Sequence, residues 1–479
     1  MPTSFFQYEM LPTTWFYLSA LMILAIFFKF NRFWSVRNLD LIGLIFLTPG
    51  LLFLAMYGGQ FGYVWMFGIH LLILIRLLFD TVMVRRPLLE PNLTSEGLAF
   101  ACFALFAFMI ASVVINRGEQ VDSIRTVRLE QILYLTKDST SNLGQPVPQN
   151  PGYAPFFAWV EKTNQVLAPS DSLRWQLKEF LLSKKNAKEN EKEKSPPEIL
   201  PIPSPPVLLD DALLGASFNE PLPEEMKSVS LPMMSDTFVL IVVLWAHLMI
   251  VLGLLFIGHA HFGNIRVGIA AAALYLLHPY TNQMLGRIDH FVPAMLLVWA
   301  VVFYRRPFWS GLLIGLAAAL VFYPIFLIPL WCGFYWKRGW IRFLCGIGGC
   351  YTVFLILLFS MAPGFSSFWL QWANLFGRSC FLLEHPSGLW EIWQPFYRIP
   401  VIALFLVFSF GMWIWPTRKH LATLVGGSTI IMLLTQFWQS YQGGLYIAWY
   451  LPLLILTVFR PNLEDRTASS TVVEARYWF

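Results

Sequence analysis

Charged side chains are scarce in this sequence. Asp, Glu, Lys and Arg make up 13% of its 479 residues, about half of the roughly 25% that soluble domains carry. Hydrophobic residues make up 57%. This balance excludes an ordinary soluble globular protein. The net charge of +5 is spread over short loops between apolar runs, so we expect no nucleic-acid partner.

Cysteine is also sparse, with five in the whole chain. No CxxC or Cys/His spacing predicts a zinc site, and no two cysteines share a loop in which a disulfide would form. The N-terminus lacks the basic stretch and small-residue cleavage site of a secretory signal peptide. We therefore expect the first apolar run to be retained as a membrane span.

Long apolar runs are what the sequence has in abundance. Several reach roughly 18 to 25 residues, the length that a helix needs to cross a bilayer. The predicted spans are 11–30, 39–57, 61–83, 97–115, 236–258, 265–281, 288–304, 308–335, 341–362, 399–416, 421–437 and 443–459. The pattern predicts an all-α fold, a polytopic transmembrane helical bundle.

The basic residues predict how this bundle is oriented. They cluster at or just after the ends of certain runs, for example at Lys29, Arg85, Arg305, Lys337 and Arg418. The facing loops are nearly free of Lys and Arg. Since basic loops stay in the cytoplasm, we expect the N-terminus outside and the C-terminus inside.

One apolar run carries basic residues at both ends. Arg306 precedes the run 308–335 and Lys337 follows it, yet a single straight span cannot return to its own side. Proline disrupts a helix interior, so the break at Phe322-Tyr323-Pro324 predicts a hairpin of two short helices. Neighbouring helices would have to shield its turn. With this hairpin the bundle has about 12 to 13 helical segments.

The spans divide the chain into four regions. We predict an N-terminal four-helix membrane module (1–115), a large extracytoplasmic loop (116–235), a membrane core (236–459) and a cytoplasmic tail (460–479). Lys, Glu and Pro crowd the second half of the loop, which is typical of a flexible tether. The alternative for the whole loop is a solvated spacer.

Several polar residues lie where the predicted outer loop enters the span 288–304. Arg287, Asp289 and His290 share the stretch "GRIDH", and His278 and Tyr280 precede it on the same side. Ionisable groups at membrane depth often line a cavity and mark function. We predict that these five residues bind substrate. The alternative is an interfacial ion pair with a snorkelling arginine.

The third predicted span also contains charge. Arg76 and Asp80 are four residues apart, so they can pair along one face of a helix. We expect this pair to be structural.

The stretch 286–331 resembles the GT-C superfamily of membrane glycosyltransferases, most closely its bacterial α-mannosyltransferase-like branch. The residues that carry the resemblance are Gly286, Asp289, Arg305, Arg306, Gly311, Gly315, Ala317, Ala318 and Pro324. The sequence departs from the superfamily pattern twice. Arg287 replaces a usual glutamine, and Val321 replaces a usual lysine.

The resemblance implies that the core moves a mannose-like sugar from a polyprenyl-phosphate donor to an extracytoplasmic glycan, lipid or protein. The protein would then be a multi-pass protein of a bacterial inner membrane, in contact with membrane lipid. The superfamily places a catalytic carboxylate at the start of a large outer loop, where this chain has Glu119 and Asp122. A divalent cation is compatible with such a site, although no metal or other cofactor is clearly implied.

Two other functions stay open. Val321 and the flexible tether favour a non-catalytic scaffold of envelope assembly that descends from the same fold. A small-molecule transporter is disfavoured, because the sequence shows no inverted repeat of broken helices.

The predicted orientation can be tested with reporter tags. Tags inserted after Gly58 and after Arg418 should report opposite sides of the membrane, because the first loop lacks basic residues and the second is basic. Protease protection in intact cells measures this. Two tags on one side would contradict both the orientation and the outer position of the site.

Overall fold

The computed structural model describes residues 12–56, 60–79, 90–115, 152–153, 233–361, 364–377, 381, 388–439, 445–461, 463 and 465–472. Within these ranges every regular element is helical, and the one β-bridge joins His420 to Thr467. This confirms the predicted all-α, polytopic helical fold.

The described helices fall on both sides of the segment 116–232, where the sequence predicts the large loop. Before it lie α1 (Pro12–Phe27), α2 (Val36–Met56), α3 (Gln60–Leu78) and α4 (Ser95–Ile115). After it come α5 (Met233–Phe256), α6 (Ile265–Leu277), α7 (Pro279–Gln283), α8 (Ile288–Val302), α9 (Pro307–Val321), α10 (Ile328–Tyr335) and α11 (Trp340–Met361). The last group is α12 (Phe365–Leu375), α13 (Leu389–Ile392), α14 (Arg398–Ile414), α15 (Leu421–Trp438), α16 (Leu451–Phe459) and α17 (Ala468–Thr471).

Contacts between loops define a basic face of the bundle. Lys29 donates to the side chain of Asn92 (2.8 Å), and Arg266 donates to the carbonyl of Leu93 (2.8 Å). Arg338 donates to the carbonyl of Ser469 (3.2 Å). The loops that the sequence predicts to share one side therefore meet at one end of the bundle. That this end is cytoplasmic stays a prediction.

The start of α8 lies at the other face. A π-helical turn, Ile257–His261, ends the helix that begins with α5, and His261 Nε2 bonds to the carbonyl of Val302 at the end of α8 (2.9 Å). Since α8 rises about 1.5 Å per residue, its first residues lie at the end of the bundle opposite to the basic face.

The predicted hairpin is confirmed. Helix α9 ends at Val321, Phe322 takes a φ of +48°, and the 3-10 turn Tyr323–Leu327 leads into α10. The hydroxyl of Tyr335, at the end of α10, donates to the Oγ of Ser310 in the first turn of α9 (3.3 Å). The chain therefore returns to the face from which α9 started.

Close glycine contacts hold α9 against α11. A Cβ atom on Gly311 would clash with the carbonyl of Phe343, and one on Gly346 would clash with the carbonyl of Phe308. Small residues allow such close backbone approach between membrane helices, where apolar burial gives little driving force. Gly311 and Gly346 thus have a direct packing role.

Among the residues that the structure describes, six helices are long and apolar enough to cross a membrane by length and composition. They are Val36–Leu54, Gln60–Leu78, Ser95–Ile115, Phe238–His261, Trp340–Ser360 and Leu421–Trp438. Large apolar side chains point outward from them, including Phe100 and Phe103 of α4 at 74% exposure each. Such exposed rings suit contact with lipid.

The first four helices pack directly on the rest of the bundle. Helix α4 packs on α6, and α3 packs on α15, within one continuous apolar core. Arg76 of α3 forms an ion pair with Asp40 of α2 (2.7 Å), a partner that the sequence did not indicate. Asp80 lies outside the described residues, so its predicted pairing with Arg76 stays a prediction.

Two predicted spans have different shapes in the structure. The run 265–281 is divided at His278, because Pro279 starts the separate helix α7. The last run, 443–459, contains the 3-10 turn Ile447–Trp449 before α16 begins. Pro452 lies in the first turn of α16. Proline is favoured in the first turn of a helix and disfavoured further inside.

Two glycines of α11 provide a matched test of the packing. Gly346→Ala should lower the free energy of unfolding by about 1–3 kcal/mol, because the added methyl meets the backbone of Phe308. Gly348→Ala should not lower it, because nothing lies within 4 Å of a Cβ there. Unfolding of the purified protein in detergent measures both. Equal losses would contradict the close approach of α9 and α11.

Candidate functional site

Arg287 and Asp289 form an ion pair at the first turn of α8. Nε and Nη2 of Arg287 donate to the two carboxylate oxygens of Asp289 at 3.1 and 3.0 Å. The side chains are 9% and 2% exposed. Two parallel hydrogen bonds fix the plane of the guanidinium. The two side chains therefore pair with each other, and the predicted role of these residues in binding substrate stays a prediction.

Pro293 explains how the backbone of this turn is held. In a regular helix the carbonyl of Asp289 would accept from the residue four positions later, but Pro293 has no N–H. The indole N–H of Trp449 donates to this carbonyl instead, at 3.0 Å. The 3-10 turn Ile447–Trp449 thereby supplies the hydrogen bond that the proline removes.

Tyr280 and His290 form a second polar pair beside the first. The Tyr280 hydroxyl donates to the carbonyl of Leu445 (2.9 Å) and also bonds to Nδ1 of His290. A tyrosine hydroxyl is protonated at pH 7. A carbonyl only accepts, so the Tyr280 oxygen accepts from Nδ1–H. His290 Nε2 is then the basic nitrogen of the neutral ring, 3.9 Å from Oδ2 of Asp289.

Within the described residues, His278 caps a helix. Its Nδ1 accepts the backbone N–H of Tyr280 at 3.3 Å and so caps the start of α7. A ring nitrogen that accepts an N–H carries no proton, so the His278 ring is neutral where it makes this bond. The structure therefore brings Arg287, Asp289, Tyr280 and His290 together, with His278 behind them as a helix cap.

The long loop reaches this site at one point that the structure describes. Tyr153 is 1% exposed, and its hydroxyl donates to the carbonyl of Ile288 at 3.2 Å. Gly152 lies so close to Ala319 at the end of α9 that a Cβ would clash with its carbonyl. The loop thus touches both the start of α8 and the hairpin, as expected if the polar patch faces the loop.

The two predicted catalytic acids, Glu119 and Asp122, lie outside the described residues.

The structure adds functional candidates that the sequence analysis missed, namely Tyr153, Trp449 and Arg398. Arg398 is 1% exposed and donates from Nε to the carbonyl of Trp438, with its guanidinium 5.6 Å from that ring. Its position directly before an apolar run, as with Arg287, was the available signal.

The described residues contain no group of three or more His, Cys, Asp or Glu side chains that could hold a metal ion. In this part of the chain the site therefore consists of one ion pair, one tyrosine, one histidine and the backbone groups around them.

Comparison with known families bears on the second half of the chain. Residues 229–438 match the family model described as Glycosyltransferase family 87. That segment is similar to a family of membrane glycosyltransferases with a GT-C-like fold. It runs from just before α5 to the end of α15 and includes the hairpin and the Arg287/Asp289 pair. No curated protein and no solved structure matches the chain.

The burial of the Arg287/Asp289 pair generates a stability prediction. Asp289→Ala should lower the free energy of unfolding by about 3–5 kcal/mol, because it leaves a buried charge without its partner. The double variant Arg287→Leu with Asp289→Leu should recover most of this loss. Unfolding in detergent measures both.

The less buried pair of Arg76 with Asp40 provides the control. Asp40→Ala should cost less, because the Arg76 side chain is 20% exposed and water can solvate it. A loss for Asp289→Ala no greater than that for Asp40→Ala would show that water reaches Arg287.

Proposed function

We propose that this protein is a membrane glycosyltransferase that moves a mannose-like sugar from a polyprenyl-phosphate donor to an extracytoplasmic glycan, lipid or protein. It would act at the outer face of a bacterial inner membrane. One observation carries the proposal. The buried Arg287/Asp289 pair lies within the segment that matches a glycosyltransferase family, at the face where Tyr153 of the long loop also docks.

The reaction needs a cation, a base and a binding site for the acceptor from the protein. The acceptor hydroxyl attacks the anomeric carbon, a new glycosidic bond forms, and the bond from that carbon to the lipid phosphate oxygen breaks. The leaving lipid phosphate keeps the electron pair of the broken bond. A cation must hold this phosphate, a base must take the hydroxyl proton, and the acceptor must be held in line.

Arg287 is suited to the phosphate. A guanidinium offers N–H donors in a planar fork from which phosphate oxygens accept. Two of its N–H groups bond to Asp289, which orients it. A carboxylate that is held by a guanidinium is a weaker base, so we assign Asp289 to positioning Arg287.

The end of α9 is less suited to the phosphate. Val321, where the superfamily usually has lysine, is fully buried at the last residue of α9. Arg287 would replace that missing cation. We assign the base to Glu119 or Asp122, which open the long loop. A divalent cation near those acids is compatible with the proposal, and no step depends on it.

The apolar end of α9 also favours the alternative function, a non-catalytic scaffold of envelope assembly. A scaffold would keep the helix packing and the Arg287/Asp289 pair for stability, and it would bind no sugar donor. Measurements of donor binding and of sugar transfer therefore separate the two functions.

The proposal makes a ranked prediction for variants in liposomes that contain a labelled polyprenyl-phosphate sugar. Arg287→Ala should weaken donor binding by about 10- to 100-fold, as expected for losing hydrogen bonds to a charged group. Asp122→Asn or Glu119→Gln should spare binding, and loss of the true base should slow transfer by about 100-fold or more. Arg266→Ala, on the basic face, is the control and should change neither quantity.

The double variant Arg287→Leu with Asp289→Leu keeps the test valid if Arg287→Ala does not fold. Donor binding at the wild-type level in a folded variant without Arg287 would make this arginine an interfacial residue only. The scaffold alternative would then be the better explanation of the pair.

A further inference from the structure

The turn between α10 and α11 carries exposed basic side chains. Residues 336–342, which we call the basic turn, read "WKRGWIR". Lys337 and Arg342 are exposed, and Arg338 is half-buried. Three cations within six residues make this turn a strongly positive part of the basic face of the bundle.

The hairpin brings a second basic pair to this turn. A Cβ atom on Gly339 would clash with the ring of Pro307, the first residue of α9. Arg305 and Arg306 directly precede Pro307 in the chain. Cations from two separate segments therefore meet at one place, because α9 and α11 start side by side.

The sequence supplies few carboxylates near these cations. The stretch 290–383, which includes α9, the basic turn and α11, contains no Asp or Glu. Arg338 contacts the C-terminal segment at Ser469, and Asp465 of that segment pairs with Arg466 at 3.3 Å. The positive charge of the turn is therefore suited to an anion from outside the protein.

Exposed tryptophan rings place the basic turn at the depth of lipid headgroups. Trp336 stacks on Trp340 with ring centroids 5.7 Å apart, and it makes a T-shaped contact with Trp413 of α14 at 5.7 Å. The three side chains are 56%, 37% and 44% exposed. Tryptophan is enriched at the interface between membrane and water. A cluster of such rings beside exposed cations suits the layer in which lipid phosphates lie.

Helix α11 continues from the basic turn with an exposed apolar surface. Ile341, Val353 and Ile356 are exposed along it. Gly348 and Gly349 are exposed as well, and nothing lies within 4 Å of a Cβ atom at either position. A lipid chain can therefore lie close to the α11 backbone while its headgroup reaches the cations of the turn.

We propose that the basic turn binds the phosphate headgroup of an anionic phospholipid, with the lipid chains along α11. The guanidinium of Arg342 offers phosphate oxygens a planar fork, and basic pockets between membrane helices take anionic headgroups. The turn lies at the end of the bundle opposite to the Arg287/Asp289 pair. This site is therefore separate from the proposed donor site and does not depend on the proposed function.

Native mass spectrometry of the whole protein in neutral detergent tests this inference. The probes are dioleoylphosphatidylglycerol, which is anionic, and dioleoylphosphatidylcholine, which has the same chains and no net charge. We expect the wild-type protein to bind the first phosphatidylglycerol molecule more tightly than the first phosphatidylcholine. The double variant Lys337→Gln with Arg342→Gln should weaken phosphatidylglycerol binding by about tenfold or more, because it removes two cations at the headgroup.

A second double variant on the same basic face is the matched control. Lys29→Gln with Arg266→Gln removes the same charge, at side chains that bond to Asn92 and to the carbonyl of Leu93. It should leave phosphatidylglycerol binding unchanged. Equal losses in the two double variants, or equal binding of the two lipids by the wild type, would overturn the site and leave only a general attraction to a basic face.

Thermal unfolding of the same samples gives a second measurement. A lipid that binds only the folded protein raises the Tm, so phosphatidylglycerol should raise the Tm of the wild type more than that of Lys337→Gln with Arg342→Gln. An equal rise in both would contradict binding at the basic turn. If the double variant does not fold, the single variant Arg342→Gln repeats both measurements, with an expected loss of about fivefold in lipid binding.

Two further arms identify the ligand and the site. Inorganic phosphate should not displace phosphatidylglycerol, because it lacks the chains that contact α11; displacement would make the turn a site for a free anion. The double variant Arg287→Leu with Asp289→Leu should bind phosphatidylglycerol as the wild type does. A loss of binding in that variant would place the lipid at the proposed donor site and refute a separate site at the basic turn.

Discussion

The polar groups at the start of α8 are almost fully buried, so they depend on partners inside the protein, and this constraint organises the bundle around them. Arg287 is balanced by Asp289, and the carbonyl that Pro293 leaves without a backbone donor is bonded by Trp449. The next carbonyl toward the N-terminus is bonded by Tyr153. These partners come from the long loop and from the last part of the chain. The turn is therefore stable only when distant segments are packed together.

The same contacts show that the glycosyltransferase-like segment is not self-contained. Tyr153 lies before it, and Leu445 and Trp449 lie after it, yet all three bond to residues within it. Helix α3 packs on α15, the last helix of that segment. The first four helices are thus part of one core with the rest. These contacts allow the first four helices to shape the site. Helices that only anchored the protein in the membrane would not need such contacts.

Sequence patterns predicted the features that depend on residues close together in the chain. The basic residues around 308–335 and the break before Pro324 were sufficient for the hairpin. Hydrogen-bond partners that are distant in the sequence were not predictable. Nothing near Trp449 or Tyr153 in the sequence indicates which backbone carbonyl each side chain will bond to. Asp40 as the partner of Arg76 was missed for the same reason. The division of the run 443–459 was missed because a continuous apolar run does not reveal a 3-10 turn, although Pro452 was a signal.

The hairpin also has a consequence for how the chain enters the membrane during synthesis. Helix α9 has 15 residues and α10 has 8, with a five-residue 3-10 turn between them. At about 1.5 Å per residue, neither helix alone spans the roughly 30 Å of hydrocarbon. Neither arm can therefore partition stably into lipid by itself. The two arms should leave the insertion machinery as one unit, and only once α11, which follows them in the chain, has emerged to cover α9.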